Sequence, residues 1–255
     1  MRACIQGGFD LEDLIFGRNA VAELLKSGHS VNRILIAQGS RDGSIQKIFA
    51  LAKTAGVVVE FASRDKLDKL CGGRHQGVAA YAAAADYSTL EEVLELAESK
   101  HEPPFIILLD EIEDPQNFGA ILRTAEAVGV HGVIIPKRRS VQLNATVFKT
   151  SAGAAQYVKV VQVTNVAKTL KRLREVGLKV VGSDMNAELD FKQADLTGGL
   201  VLIIGNEGKG MRRLTRESCD ELIKIPMVGK INSLNASVAG ALLMYEIFFQ
   251  RRYKQ

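Results

Sequence analysis

The chain has 255 residues, 47% of them hydrophobic and 24% charged, with a formal net charge of +4. That length can bury a real core as one large or two small domains, and the mixture is that of an ordinary globular protein rather than a disordered chain. No apolar run reaches the length that spans a bilayer and no charged-then-apolar leader opens the chain, so neither a membrane partner nor export is expected; the mild basic charge is compatible with nucleic acid but weak evidence for it.

Residues 1–14 read as a loose lead-in. From Gly17 the pattern alternates. A helix over 17–26 carries Ala20, Val21, Leu24 and Leu25 and closes at Gly28. A strand over 31–37, a helix over 44–55 closed by Gly56, a strand over 57–61, a short helix capped by Ser63 and a small-residue strand over 78–85 complete a compact α/β unit. The expected boundaries are a first domain over 12–86, a linker helix over 87–103 and a second domain over 104–255. Ser88-Thr89-Leu90-Glu91 reads as a capping box opening the acidic linker helix, and Pro103-Pro104 ends it.

The second unit begins with the apolar strand 105–109, a turn, and a helix from Asn117 with Ile121, Leu122, Ala125 and Val128 on its apolar side. Strands follow at 133–135, 157–163, 178–182, 200–204 and 221–225. Between them lie a basic loop (Lys137, Arg138, Arg139), a helix near 144–150, a helix over 166–176 and a short one over 211–217. Strand and helix alternate throughout, which predicts a mostly parallel sheet covered on both faces. After Pro226 and Gly229 comes the last helix, in which Leu234, Val238, Ala241, Leu242 and Tyr245 recur at three and four and are expected to be its buried stripe.

Three polar constellations fall at carboxyl ends of strands, where open α/β sheets bind ligands. The first holds Asn117 and Arg123, and a helix cap plus a solvated arginine would explain it as well as a site does. The second is Gly205-Asn206-Glu207-Gly208-Lys209-Gly210. It is neither G-x-G-x-x-G nor a P-loop, but its glycines admit close backbone approach and Glu207 is an acid stranded in the turn. The third is Ser233, Leu234 and Asn235 at the start of the last helix, where Asn232 or Ser233 could simply cap it. Cys4, Cys71 and Cys219 are odd in number and far apart, and the four histidines lack ligand spacing, so a reducing cytoplasmic compartment and no metal ion are expected.

The ordered motifs Asn117-x-Gly-x-x-x-Arg123, LVLIIGNEGKGM (200–211) and IPMVGKINSLNASVAGA (225–241) resemble those of the SpoU, or TrmH-type, RNA ribose methyltransferases. The stretches FGRNAV (16–21) and HQGVA (75–79) give the front unit a likeness to the family's substrate-binding domain, similar in fold to ribosomal protein L30. The resemblance implies an α/β L30-like N-terminal domain followed by an α/β trefoil-knot methyltransferase domain, where connection rules alone would suggest an unknotted sheet. It implies S-adenosylmethionine as cofactor, held at Thr150, Gly205, Asn206, Glu207, Gly208, Ile225, Met227, Ser233, Leu234 and Asn235, with Ser151 and Gly153 beside it. It further implies Arg123, Asn117, Glu207, Ser233 and Asn235 as the functional polar residues, a homodimer, and RNA as substrate. The two-domain order looks most like enzymes that 2′-O-methylate a guanosine of 23S ribosomal RNA.

A transfer-RNA ribose methyltransferase is the second reading, and an RNA-binding protein without activity a third that the intact polar residues oppose. A dinucleotide enzyme is disfavoured by the missing glycine fingerprint. The last helix carries Leu242, Leu243, Met244, Ile247, Phe248 and Phe249, more than one stripe, which predicts two buried surfaces and favours the dimer. Few aromatics in the front unit predict RNA recognition by shape and backbone rather than by base stacking.

Overall fold

The computed structural model describes residues 14–40, 42–230 and 233–253. Packing divides the chain into two units. One runs to Asp86 and adds Leu143–Thr146; the other takes Tyr87–Gln142 and the chain from Val147 onward.

The first unit contains β1 (Leu14–Phe16), α1 (Arg18–Lys26), β2 (Val31–Ala37), α2 (Gly43–Thr54), β3 (Val58–Ala62), α3 (Arg64–Cys71) and β4 (Val78–Ala82). They form a four-stranded sheet in the order β1-β4-β2-β3, with only β2 and β3 parallel. Side chains alternate across the sheet. Ile34 and Ile36 therefore pack under α1 and α2 with Val21, Ile45 and Ile48, while Leu35 and Ala37 pack under α3 with Leu67 and Cys71. Asp42 caps α2, Ser63 caps α3, and Gly72 ends α3 in the left-handed conformation that favours glycine. β1 lies where a lead-in was expected at its first residue; three residues are too few to show a period, and only the pairing with β4 reveals it.

The second unit contains α4 (Leu90–Ser99), β5 (Phe105–Asp110), α5 (Pro115–Ala127), β6 (Gly132–Pro136), α6 (Ala145–Thr150), β7 (Lys159–Val163), α7 (Val166–Glu175), β8 (Lys179–Ser183), β9 (Leu189–Asp190), β10 (Leu200–Gly205), α8 (Arg213–Glu217), β11 (Glu221–Lys224) and α9 (Ala236–Tyr253). Helix α6 spans the division between the units. The sheet has seven strands in the order β7-β6-β5-β10-β8-β11-β9, and every pairing is parallel. A parallel sheet must be covered on both faces, which explains why β5 is buried at all six residues. Ile106, Leu108, Val201 and Ile203 pack with α4 and α7. On the other face α9 crosses β10 so closely that a Cβ on Gly240 would lie 2.7 Å from the Ile204 side chain, and α5 packs beside α9.

Two expectations are corrected here. The capping box is Thr89 with Glu92, one residue later than read: the Thr89 hydroxyl accepts from the Glu92 amide at 3.2 Å and the Glu92 carboxylate accepts from the Thr89 amide at 3.2 Å. The stripe Val238, Leu242, Tyr245 is not the buried face of α9. Those residues are 48, 44 and 43% exposed, while Ala236, Gly240, Leu243, Met244 and Ile247 are buried. Two apolar faces on one helix cannot be ranked by periodicity, because both recur at the helical period.

The amino-terminal side of the sheet is tied by His131, whose Nδ1 accepts from the Phe105 amide at 3.0 Å while Nε2 faces Glu102 at 3.0 Å. Burial pushes its pKa below the usual value, with Glu102 opposing. The unfolded chain then binds the proton more readily, so this contribution to stability is present above the ordinary histidine pKa of about 6.5 and is lost as pH falls through the folded value. Chemical denaturation from pH 7.5 to 5 should show stability falling with pH, and His131→Gln should flatten that slope.

Candidate active site

The ends of β5 and β10 adjoin, with Asp110 opposite Gly205 in register, at the centre of the parallel sheet. Asp110 is fully buried and accepts from the Arg212 amide at 2.8 Å and from its Nε at 2.7 Å. A carboxylate taken out of water needs such a partner. Here it fixes the far end of the glycine loop. Within that loop the Asn206 amide donates to the Gly210 carbonyl at 3.1 Å, and the Asn206 carbonyl accepts from the Gly210 amide at 2.8 Å. The Asn206 side chain accepts from the Gly208 and Lys209 amides and donates to the Glu111 carbonyl at 3.1 Å. A Cβ on Gly205 would sit 2.5 Å from the Gly210 carbon and the Met211 nitrogen, so the turn closes only with glycine there.

Asn117 is not the cap of its helix. Asp114 caps α5 with Pro115 at the first turn, which leaves the Asn117 side chain available two residues further on. Its Nδ2 donates to Glu207, and its Oδ1 accepts from Asn235 Nδ2 at 2.9 Å. The Asn235 Oδ1 in turn accepts from the Ser237 amide at 2.9 Å and hydroxyl at 2.6 Å, capping α9. The cap is thus Asn235 rather than Ser233, while Asn232 lies outside the described residues. This single relay joins one residue from each of the three motifs. The second Glu207 oxygen makes no hydrogen bond among the described residues.

Beside the relay is a cleft of 230 Å³. Of the ten predicted cofactor contacts, Gly205, Asn206, Glu207, Gly208, Ile225, Met227, Ser233 and Leu234 line it. Asn235 reaches it only through the relay. Thr150 does not line it; its hydroxyl donates to the Pro115 carbonyl at 3.2 Å, packed where Gly119 has no Cβ to exclude it. Ser151 is buried and holds the turn after α6 through the Phe148 carbonyl at 3.0 Å. The sequence reading missed Ser183, Asp184, Met185 and Asn186, which form the opposite wall at the end of β8. The available signal was the polar G-S-D-M-N run after an apolar strand, in the same strand-end position as the three motifs. Arg123 is exposed and makes no hydrogen bond or ion pair among the described residues. Six residues along α5 turn its Cβ about 120° from that of Asn117. No group of three or more His, Cys, Asp or Glu among the described residues could hold a metal ion.

Asn117→Ala would leave a part-buried carboxylate and the Asn235 amide without their shared partner. Removing one side of such a network costs about 1–3 kcal/mol, and thermal or denaturant unfolding should read a loss of that size.

The family models match in the same places. The SpoU rRNA Methylase family covers residues 104–245, and the RNA 2′-O ribose methyltransferase substrate-binding model covers residues 14–88. A relative of Bacillus subtilis, YacO, assigned to the TrmH family of tRNA/rRNA methyltransferases, is 49% identical over 239 residues, covering 94% of this chain and 96% of its own. A Staphylococcus aureus relative with the same family assignment is 46% identical over 242 residues, 94% of this chain and 98% of its own. Among solved structures, the TrmH/SpoU tRNA modifying enzyme of A. aeolicus is 30% identical with a TM-score of 0.55, covering 64% of this chain and 84% of that one. The SpoU methyltransferase AviRb of Streptomyces viridochromogenes, solved with AdoMet, shares the fold at a TM-score of 0.60 over 93% of this chain and 90% of that one, at 24% identity. With its motifs joined by one hydrogen-bond relay and 94% of its length matched in family relatives, the chain belongs to the SpoU, or TrmH, family of RNA methyltransferases.

Proposed function

We propose that the chain transfers a methyl group from S-adenosylmethionine to a ribose 2′-hydroxyl of RNA, in 23S ribosomal RNA and at a guanosine, within the cytoplasm. The observation that carries the reading is the Asn235–Asn117–Glu207 relay set beside a cleft whose walls are glycine-loop backbone. The donor set fits the cofactor. Ile204, Ile225, Leu234 and Ala239 offer apolar surface for a heterocycle, and Ser183, Asp184, Asn186 and Ser233 offer polar groups for a ribose and a charged amino-acid end. When bound, S-adenosylmethionine supplies an electrophilic methyl group on a sulfonium. The chain's part is then to orient, to exclude water and to move one proton. Asn117, held from both sides, keeps Glu207 turned toward the cleft, and the uncommitted Glu207 oxygen is placed to accept the proton of the attacking hydroxyl.

Arg123 is assigned to the reacting ribose. A guanidinium has donors and no acceptor, so it serves as a bidentate clamp for a phosphate and for charge developing on the attacking oxygen, not as a base. Its solvent-facing place leaves its fork open to RNA. The trefoil knot is part of the same reading and rests on the match of residues 104–245 to the SpoU family model. The ribosomal preference rests on the front unit, because the substrate-binding model covers residues 14–88. Transfer RNA is the competing substrate, since the relatives' family name spans both. Methylation of isolated ribosomal RNA and of bulk transfer RNA, with the modified nucleotide mapped, decides between them. In single-turnover assays at saturating RNA and cofactor, Arg123→Ala should lower the rate roughly 10²–10³-fold. Arg123→Lys should be nearly as slow, and cofactor affinity should be unchanged in calorimetry; a near-normal Arg123→Ala rate would remove the residue from the mechanism.

The reading includes a homodimer. Val238, Leu242, Tyr245, Phe249 and Tyr253 form one exposed stripe along α9, with Phe249 in aromatic contact with both Tyr245 and Tyr253. An apolar stripe of this length in water calls for a partner surface, and a second copy offers the same stripe. Leu242→Lys combined with Phe249→Glu should give a folded monomer in sedimentation at micromolar concentration, where the unaltered chain sediments as a dimer.

A further inference from the structure

The front unit carries a second cavity, of 370 Å³, remote in sequence from every motif above and lined by Ile36, Gly39, Ser40, Ile45, Gln46, Phe49 and Phe61. Sites that take drug-sized ligands span about 300–1,000 Å³. Its origin is in the fold. Ile36 and Phe61 are register partners on β2 and β3, so both point to the face that α2 covers. Helix α2 reaches Ile36, which is fully buried, but β3 is the edge strand and Phe61 stays 62% exposed beyond the helix. From the other side Phe49 on α2 is 43% exposed. Two phenyl rings thus flank a slot with an apolar floor and a hydroxyl and an amide side chain among its lining.

The slot is preformed. The Gln38 amide donates to the Ala62 carbonyl at 2.9 Å, the Ala37 amide to the Gly77 carbonyl at 2.9 Å and the Ser40 amide to the Ala37 carbonyl at 3.2 Å, which pins the mouth to both neighbouring strands. The Gly77 segment is itself locked, because the Gly77 amide donates to His75 Nδ1 at 2.9 Å. Arg18 donates to the Gln76 carbonyl at 2.9 Å and to Ser44 and Asp42 at 2.8 Å, bracing the start of α2. Two residues from both Ile45 and Phe49, exposed Lys47 lies on the other side of α2, and Glu60, the carboxylate next to Phe61, points to the opposite face of the sheet, so neither charge faces the slot.

We propose that this slot holds one unpaired nucleobase of the substrate RNA, stacked against Phe61 and Phe49. The proposal rests on the methyltransferase reading above and assigns the front unit a base-reading role that its aromatic count did not suggest. A planar heterocycle suits two rings and an apolar floor, its polar edge suits Ser40 and Gln46, and the unit that carries the slot matches the RNA substrate-binding model over residues 14–88.

The chain has no tryptophan, so Phe61→Trp places a single indole at the slot. The probe is a short single-stranded RNA of mixed sequence, beside the same strand with abasic riboses and the same sequence as a duplex. Single-stranded RNA should quench the indole and shield it from acrylamide, and the abasic strand should do neither. Phe61→Ala with Phe49→Ala should weaken binding of the single strand by roughly ten- to a hundredfold, the scale of one stacked base, and leave abasic-strand affinity unchanged. S-adenosylmethionine affinity should not move, and should the double variant fail to fold, the indole quench decides alone. Equal affinity for intact RNA in the folded double variant, quenching by the abasic strand to the same extent, or an indole left fully open to acrylamide with RNA bound would overturn the proposal and hand the surface to a protein partner. A wild-type chain that methylates neither ribosomal nor transfer RNA would instead defeat the methyltransferase reading, since the binding comparison requires no turnover.

Discussion

The candidate active site depends on how β5 and β10 end side by side. A parallel sheet stops being satisfied at its carboxyl edge, where backbone groups and the first loop residues must find partners elsewhere. Asp110 and Gly205 meet there in register, and the next bonds are made by side chains: Asp110 to Arg212, Asn206 to the Glu111 carbonyl, Asn117 to Glu207, Asn235 to Asn117. Each closes a loop against a different element. An amide can donate and accept at once, and Asn117 uses both ends, which is what lets one side chain orient a carboxylate and a helix cap together.

Rigidity behind the loops makes that arrangement useful. Gly240 lets α9 lie against Ile204, and Gly119 lets α5 lie against Thr150, so the two helices that carry Asn235 and Asn117 cannot slide without a clash. At its far end α9 is anchored by Arg251, which donates to the Pro103 carbonyl at 2.8 Å, the Pro104 carbonyl at 3.1 Å and the Gly198 carbonyl, and stacks 4.9 Å from the Phe105 ring. Burial pulls its pKa down to about 10, still far above neutrality, so the anchor is a full charge answered by carbonyl dipoles. Gln250 adds bonds to the Leu196 amide at 3.0 Å and the Ala194 carbonyl at 3.1 Å. A helix fixed at both ends holds the Asn235 amide of the relay in a defined place.

The two units solve different problems with the same layers. The parallel sheet is buried on both faces and exposes its chemistry only at strand ends, whereas the mixed four-stranded sheet leaves its β3 edge partly uncovered, and there Phe61 meets solvent. Edge strands are ordinarily short or charged. A ring on such an edge is costly unless something covers it, and in a protein that acts on RNA a base is the planar surface at hand.

Most elements were legible from the residues because their periods and punctuation agree. β2, α2, α7 and β10 show alternation or a helical stripe bounded by glycine or a cap, and the three polar clusters stood out at strand ends before any contact was known. What stayed illegible depends on distance in the chain. β1 and the two-residue β9 exist only through their partners. The apolar faces of α9 are chemically alike, and only the approach of β10 at Gly240 decides which one is inside. Asn117 could be a helix cap until Asp114 took that place, and Thr150 is absent from the cleft lining because it packs where Gly119 made room for it. The wall at Ser183, Asp184, Met185 and Asn186 belongs to the cleft because β8 pairs with β10 across an intervening stretch of chain. Local propensity and period are properties of a dozen residues and can be read from them. Which strand ends meet, and which of two equal faces is buried, are settled by packing between segments far apart in the chain, and that free energy is written in no single segment.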